Sequence, residues 1–214
     1  TDGLYFLGEL LAGRTEEFFV FCSKVLMKAQ SALVMVAARS FFPLKRFSSS
    51  FKNADWSVTE VLFEHHPFVD VLKKSMNRLS KYFLSFQLSR RATEGLWYGT
   101  WLYMQGVLKR CVGSVKVCNA MGRSLMAGDV RTVASLFVTF SSTEIDASSV
   151  LDLVNAYFLP LSDYQQWVRN NCGRYKPAHV INLTRTGLSA RISQKEIRET
   201  LAIIDLIIAG PLQA

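Results

Sequence analysis

Between Leu96 and Asp129 the chain reads LWYGTWLYMQGVLKRCVGSVKVCNAMGRSLMAGD, and its apolar residues return every three or four positions. Trp97, Trp101, Met104, Leu108, Cys111, Val115, Cys118, Gly122 and Leu125 fall on one helical face. Gly99, Gly106, Gly113, Ala120 and Ala127 recur at a seven-residue spacing on roughly the opposite face. The pattern predicts one long helix, bulky on one side and smooth on the other, enclosed by further helices. Each glycine inside a helix costs roughly 1 kcal/mol relative to alanine. Two readings account for the smooth seam. A second backbone packs close against it and gains dispersion contacts, or the glycines relax and bend the helix. Neither reading points to a catalyst.

The same spacing runs through most of the chain, and alternation at two is scarce. Thr15, Glu16 and Glu17 start a helix expected to reach about Arg39, with Pro43 beyond its end. Lys45 to Asp55, with Ser48, Ser49 and Ser50, reads as a loop. Ser57 and Glu60 have capping-box spacing, in which the two side chains satisfy each other's helix-start amides. Pro67 suits a first helical turn. The helix from there to about Leu88 is expected to bury Val69, Leu72, Met76, Leu79, Phe83 and Phe86, with Lys73, Lys74, Asn77 and Lys81 opposite. The long helix follows from about Thr93. Gly128 is expected to break it and Asp129 to cap a short helix through Val133, Leu136, Phe137 and Phe140.

Further on, Ser148 or Ser149 begins a helix ending at Leu159 and Pro160. Ser162 caps the next, with Tyr164 and Trp167, and Pro177 precedes or opens another through about Leu188. Ser193 and Glu196 form a second capping box, ahead of Ile197, Leu201, Ile204 and Ile208. The chain is therefore predicted to be all-α, a helical bundle or stacked helical hairpins of eight or nine helices. Trp97, Trp101, Leu108, Cys111, Val115, Cys118, Leu125, Trp167, Ile197, Leu201 and Ile204 are the expected structural core. Two units are expected: an N-terminal helix and loop, 1–56, and a helical domain, 57–214, packed separately or as one.

A chain of 214 residues, half of them hydrophobic, can bury about 70% of its unfolded surface. Thr1 is not a start methionine, which suggests a piece of something longer. Val25 to Ala38 is too short to span a membrane and carries Lys28; Leu201 to Ala209 is shorter and contains Asp205. The cysteines at 22, 111, 118 and 172 make no CxxC pair, and a reducing, cytosolic compartment is expected.

The net charge is +8 and unevenly spread. Lys73, Lys74, Arg78, Lys81, Arg90 and Arg91 lie between Val71 and Thr93 with no acid among them; Lys109, Arg110, Lys116 and Arg123 follow before Asp129. Lys73, Lys74, Arg78, Lys81, Arg90, Arg91, Lys109, Lys116 and Arg123 form the candidate interaction surface, suited to acidic protein, anionic lipid or nucleic acid, or are solvated helix faces. No zinc-finger spacing or aromatic RNA-binding motif accompanies the charge, so nucleic acid is not the expected partner. His65 and His66 would point about 100° apart on a helix and lack a third ligand; His179 is isolated. The sequence carries no nucleophile elbow, phosphate loop or dinucleotide fingerprint. No catalytic, metal or cofactor-binding residue is assigned, and no cofactor is expected.

Three blocks carry a resemblance. The first is Lys116 to Asp129, KVCNAMGRSLMAGD; the second is Asn155 to Trp167, NAYFLPLSDYQQW; the third is Ile192 to Ile204, a capped basic helix ending in Leu201-Ala-Ile-Ile-Asp205. Leu96-Trp97 and Val61 to His65 fit as well. In order and separation they resemble the syndetin family, covering about 95–209 closely and 57–94 loosely. Syndetin is a subunit of the endosome-associated recycling protein tethering complex, which is related to the Golgi-associated retrograde protein complex. The resemblance implies a non-enzymatic C-terminal piece of a rod-like helical subunit. Its implied partners are other tethering-complex subunits, with SNAREs, small GTPases or an anionic membrane surface as further candidates. Its implied place is cytoplasmic, peripheral on recycling endosomes or trans-Golgi membranes. A basic all-α nucleic-acid-binding module, or another adaptor, is the alternative.

Overall fold

The computed structural model describes residues 16–25, 28, 29, 32, 36, 44–60, 64–141 and 144–209. Residues 16–25 are helical; the expected end of that helix near Arg39 lies outside the described residues. The elements that follow are α1 (Leu44–Asn53), α2 (Pro67–Ser85), α3 (Arg90–Val112), α4 (Ala120–Ser141), α5 (Ser148–Ala156), α6 (Leu161–Asn171), α7 (Pro177–Asn182) and α8 (Gln194–Ala209). A short 3-10 turn, Cys172–Arg174, follows α6, and a π turn, Leu183–Gly187, extends α7. No strand occurs among the described residues. The fold is all-α, as the periodicity predicts.

The long helix expected from Thr93 to Gly128 is instead two helices folded into a hairpin. Ser89 starts α3, its Oγ accepting the Ala92 amide at 3.3 Å. Gly113 ends it, and residues 115–119 are not helical. Asn119 then starts α4: its Oδ1 accepts the Gly122 amide at 2.7 Å, and its own amide and Nδ2 donate to the carbonyls of Trp56 (3.0 Å) and Val58 (2.7 Å). An asparagine side chain that satisfies a helix-start amide competes with continuous helix through that point. The apolar rhythm survives the turn because both arms of the hairpin face the same core. Helix α4 passes through Gly128 and Asp129 without a break. The cost of one glycine, roughly 1 kcal/mol, is small beside the burial of Leu125, Met126, Val130, Val133 and Phe137, each contributing about 1.5–3 kcal/mol.

Other boundaries differ for similar reasons. The stretch read as a loop from Lys45 is helix α1, because Phe47 and Phe51, one turn apart, are buried against Phe68 and Trp56. Ser57 opens no helix: its amide donates to Asp55 Oδ1 at 2.9 Å in a local turn, and residues 57–60 are irregular. Helix α2 ends at Ser85, so Phe86 lies beyond it and is 55% exposed rather than buried. Helix α5 stops at Ala156, short of Pro160, and α6 begins at Leu161 before the expected cap Ser162. The second capping box forms as the spacing predicts, with the Ser193 amide donating to Glu196 Oε2 (2.7 Å) and the Glu196 amide to Ser193 Oγ (3.3 Å).

The α3–α4 hairpin is the spine. Helices α1, α5 and α7 pack on α3, and α2 and α5 pack on α4. The arms are antiparallel: Trp97 and Trp101 near the start of α3 meet Phe137 near the end of α4 at ring distances of 6.1 and 5.3 Å. Helix α8 closes the C-terminal group by packing on α6, α7 and the π turn. Trp97, Trp101, Leu108, Cys111, Val115, Leu125, Ile197 and Ile204 are buried, whereas Cys118, Trp167 and Leu201 are half-buried.

The glycine seam takes neither expected form along its length. A methyl group on Gly106 would meet only Arg110 Nη1, at 3.9 Å, and α3 runs through it unbroken. Gly113 does face a second backbone, with the His179 carbonyl and Leu183 amide each 3.2 Å from such a methyl. The tightest approach is on the other face. At Gly122 the added carbon would lie 1.7 Å from the Trp56 carbonyl oxygen.

Candidate interaction surface

The nine basic residues separate into two groups. Lys73, Lys74, Arg78 and Lys81 are exposed on α2, away from its buried row Val69, Leu72, Met76, Leu79 and Phe83. Residues 86–89 turn the chain, with Gln87 at φ 51°, and Arg90 and Arg91 are exposed in the first turn of α3. Arg90 pairs with Glu94 at 2.8 Å across one helical turn. Tyr82, Leu84 and Phe86 are also exposed here, at 42%, 73% and 55%, and the rings of Tyr82 and Phe86 meet edge to face at 4.5 Å. The α2–α3 corner thus carries an apolar tip among cations. Sequence reasoning missed the tip because Phe86 fits the core spacing of a longer helix. The signal that could have found it is Ser89, an N-cap residue that places a helix start three residues after Phe86.

Lys109 and Arg123 are half-buried elsewhere. The Lys109 ammonium lies 5.3 Å from the Tyr175 ring, and burial, with Arg174 nearby, pushes its pKa down. The Arg123 guanidinium stacks 4.0 Å over Phe158. Both side chains tie a helix to a neighbouring loop aromatic through cation–π contacts. Lys116 is exposed in the hairpin turn.

The remaining polar contacts, buried and surface alike, tie the elements of the fold to one another. Asp129, expected as a helix cap, is buried in mid-α4 and serves the start of a different helix. Its Oδ1 accepts the His66 amide at 3.0 Å and its Oδ2 lies 2.8 Å from His66 Nδ1, with Pro67 opening α2 next to them. A carboxylate at a helix N-terminus complements the helix dipole. His65 Nε2 lies 3.2 Å from Asp70 Oδ1. Among the described residues no group of three metal-binding side chains converges. Tyr164 and Thr184 share a buried hydrogen bond of 2.8 Å, and Arg174 pairs with Asp152 at 2.6 Å. The Cys111 and Cys118 thiols are free, and burial pushes the pKa of the first up and that of the second up to about 11. No helix among the described residues is long and apolar enough to cross a membrane.

The sequence blocks that carry the resemblance, residues 116–129, 155–167 and 192–204, all lie within a wider match. The chain matches the protein family described as Syndetin, C-terminal, over residues 6–205. It belongs to that family. Chicken syndetin (Gallus gallus) is 27% identical over 161 residues, covering 72% of this chain and 17% of that protein. Mouse syndetin (Mus musculus) is 26% identical over 163 residues, covering 72% and 17%, and rat syndetin (Rattus norvegicus) 26% over 161 residues, covering 72% and 16%. The chain therefore spans about a sixth of the length of the syndetins it matches. No solved structure matches it.

Proposed function

We propose that this syndetin C-terminal domain is a non-enzymatic part of a multisubunit vesicle-tethering complex acting in endocytic recycling, and that it works by docking rather than by chemistry. Family membership supports the complex, and the α2–α3 corner supports the mode of action. That corner is the observation that carries the reading: Leu84 and Phe86, more than half exposed, stand among the exposed cations Arg78, Lys81, Arg90 and Arg91. Exposed aromatic and aliphatic side chains in a charged rim are the composition of a protein-docking patch, in which the apolar centre supplies affinity and the rim supplies orientation and on-rate. The partner it fits is an acidic, apolar-centred face of another complex subunit. SNAREs, small GTPases and an anionic membrane are further candidate partners of the assembled tether, and its location is then the cytoplasmic face of recycling endosomes or trans-Golgi membranes.

Purification of the longer natural chain containing this domain, with identification of the proteins that accompany it, tests the reading. Other subunits of a tethering complex are expected in stoichiometric amounts. Recovery of the chain alone, or with nucleic acid in place of protein, would contradict it.

A further inference from the structure

Away from the corner, α1 and α3 frame a cleft of about 440 Å³. Lys45, Ser48, Ser49 and Lys52 line it from α1, and Tyr103 and Arg110 line it from α3, with Val107 between them. The spacing explains the shared lining. Positions 45, 48, 49 and 52 fall on one face of a helix, and 103, 107 and 110 do so on the other. Helix α1 is held in place from its opposite face by the buried Phe47 and Phe51, so its cations and hydroxyls are presented on a fixed backbone. No carboxylate lines the cleft. None of Lys45, Lys52 and Arg110 forms an ion pair with a described residue.

Gly106 adds an independent observation. It lies in mid-α3, one residue from Val107 and one turn from both Tyr103 and Arg110. A methyl group there would meet nothing but the Arg110 guanidinium at 3.9 Å. The helix therefore carries a residue that weakens it without gaining a close neighbour, and the result is free space beside a cation.

We infer that this cleft binds a small molecule bearing two or more phosphate groups on a polar scaffold, such as a phosphorylated cyclitol. Three cations offset the charge of at least one dianionic phosphate, the planar guanidinium can bind a phosphate through two parallel hydrogen bonds, and the Ser49 hydroxyl can donate to a remaining oxygen, while Ser48 is engaged with the Cys111 thiol. The cleft is open to solvent along one side, as suits a strongly hydrated polyanion, and its volume is more than a lone ion requires. Tyr103 is the sole aromatic in the lining, which favours a hydroxylated ring over a nucleobase needing two stacking faces. The same headgroup chemistry reaches a cell's interior in soluble form or on a lipid.

Calorimetric titration of the 214-residue chain with inositol trisphosphate, ATP and inorganic phosphate tests the cleft. Sedimentation with vesicles containing a phosphoinositide, or an equal charge of phosphatidylserine, separates the sources. Micromolar binding of the soluble trisphosphate is expected, with inorganic phosphate and ATP at least tenfold weaker. Binding to phosphoinositide vesicles in addition assigns a lipid source; soluble binding alone assigns a free one. Lys52→Glu with Arg110→Glu should reduce binding at least tenfold. Gly106→Leu, which changes no charge, should do so as well. Lys195→Glu with Arg198→Glu, the same charge change on exposed positions of α8, should leave it unaltered, and thermal melts should show each variant folded. An equal loss in the cleft and α8 variants, or no binding of either form of the headgroup, would overturn the inference. The docking reading would stand in either case, because it rests on other residues.

Discussion

Gly122 and Gly128 sit in the same helix six residues apart, yet they have opposite sensitivities. An alanine methyl at position 122 would lie 1.7 Å from the Trp56 carbonyl oxygen and 2.4 Å from its carbon. The 54–60 segment is tied to the same helix start by Asn119, so it cannot move off without losing those bonds. Gly122→Ala should destabilise the domain by about 3 kcal/mol or more, the upper end of overpacking effects. At Gly128 nothing lies within 4 Å of the added carbon, and Gly128→Ala should stabilise by about 0.5–1 kcal/mol through helix propensity. Urea denaturation of both variants checks the pair. His179 supplies a pH dependence. It is buried, its Nδ1 lacks a hydrogen-bond partner, and burial, together with Lys109, Arg110 and Lys176, lowers its pKa to about 4. Its unfolded value is near 6.5, so the folded state disfavours the protonated ring. The stability it supplies is present above pH 6.5 and lost as the pH falls toward 4. Melting temperature measured across that interval should fall more steeply for the native chain than for His179→Gln, which cannot take up the proton.

At the scale of elements, α2 divides its work between two faces. The buried row fixes it on α4, while Lys73, Lys74, Arg78 and Lys81 remain in solvent. Reversal of Lys73, Lys74 and Lys81 to glutamate should therefore leave the helical circular-dichroism spectrum and melt close to native. It should weaken association with the docking partner at least tenfold at low salt, with the difference shrinking as ionic strength rises, as expected for rim charges. Unchanged binding would make these residues a solvated face only. Much of the element map was legible from spacing: α2, α6, α7 and α8 begin within a residue or two of their proline or capping signals. The hairpin turn was not. Trp97 to Leu125 keeps its apolar rhythm across residues 113–119, because a helix that folds back on itself still turns the same face to the core. Periodicity reports which side is buried and is silent on where the axis reverses; Asn119 marks the reversal by capping the Gly122 amide, and its remaining partners, Val58 and Trp56, lie 61 and 63 residues away. Helix α1 was hidden by its serines, since the burial of Phe47 and Phe51 outweighs their weak propensity. The corner was half legible: its charges stand in the sequence, but its apolar tip depends on α2 ending at Ser85.

For the whole molecule, the enclosed α3–α4 hairpin is the core element, the C-terminal helices α6 to α8 are fastened to it through α7, and the α2–α3 corner is the proposed partner contact. The aromatic cluster of Trp97, Trp101, Phe83 and Phe137 is enclosed, so it has no surface to offer a partner. Hydrogen–deuterium exchange on the longer natural chain, alone and in its assembled complex, tests this division most directly. The account predicts slowed exchange in the complex over residues 78–93, with the interior of the hairpin equally protected in both states. Unchanged exchange at the corner, alongside new protection confined to other faces of the domain, would contradict it.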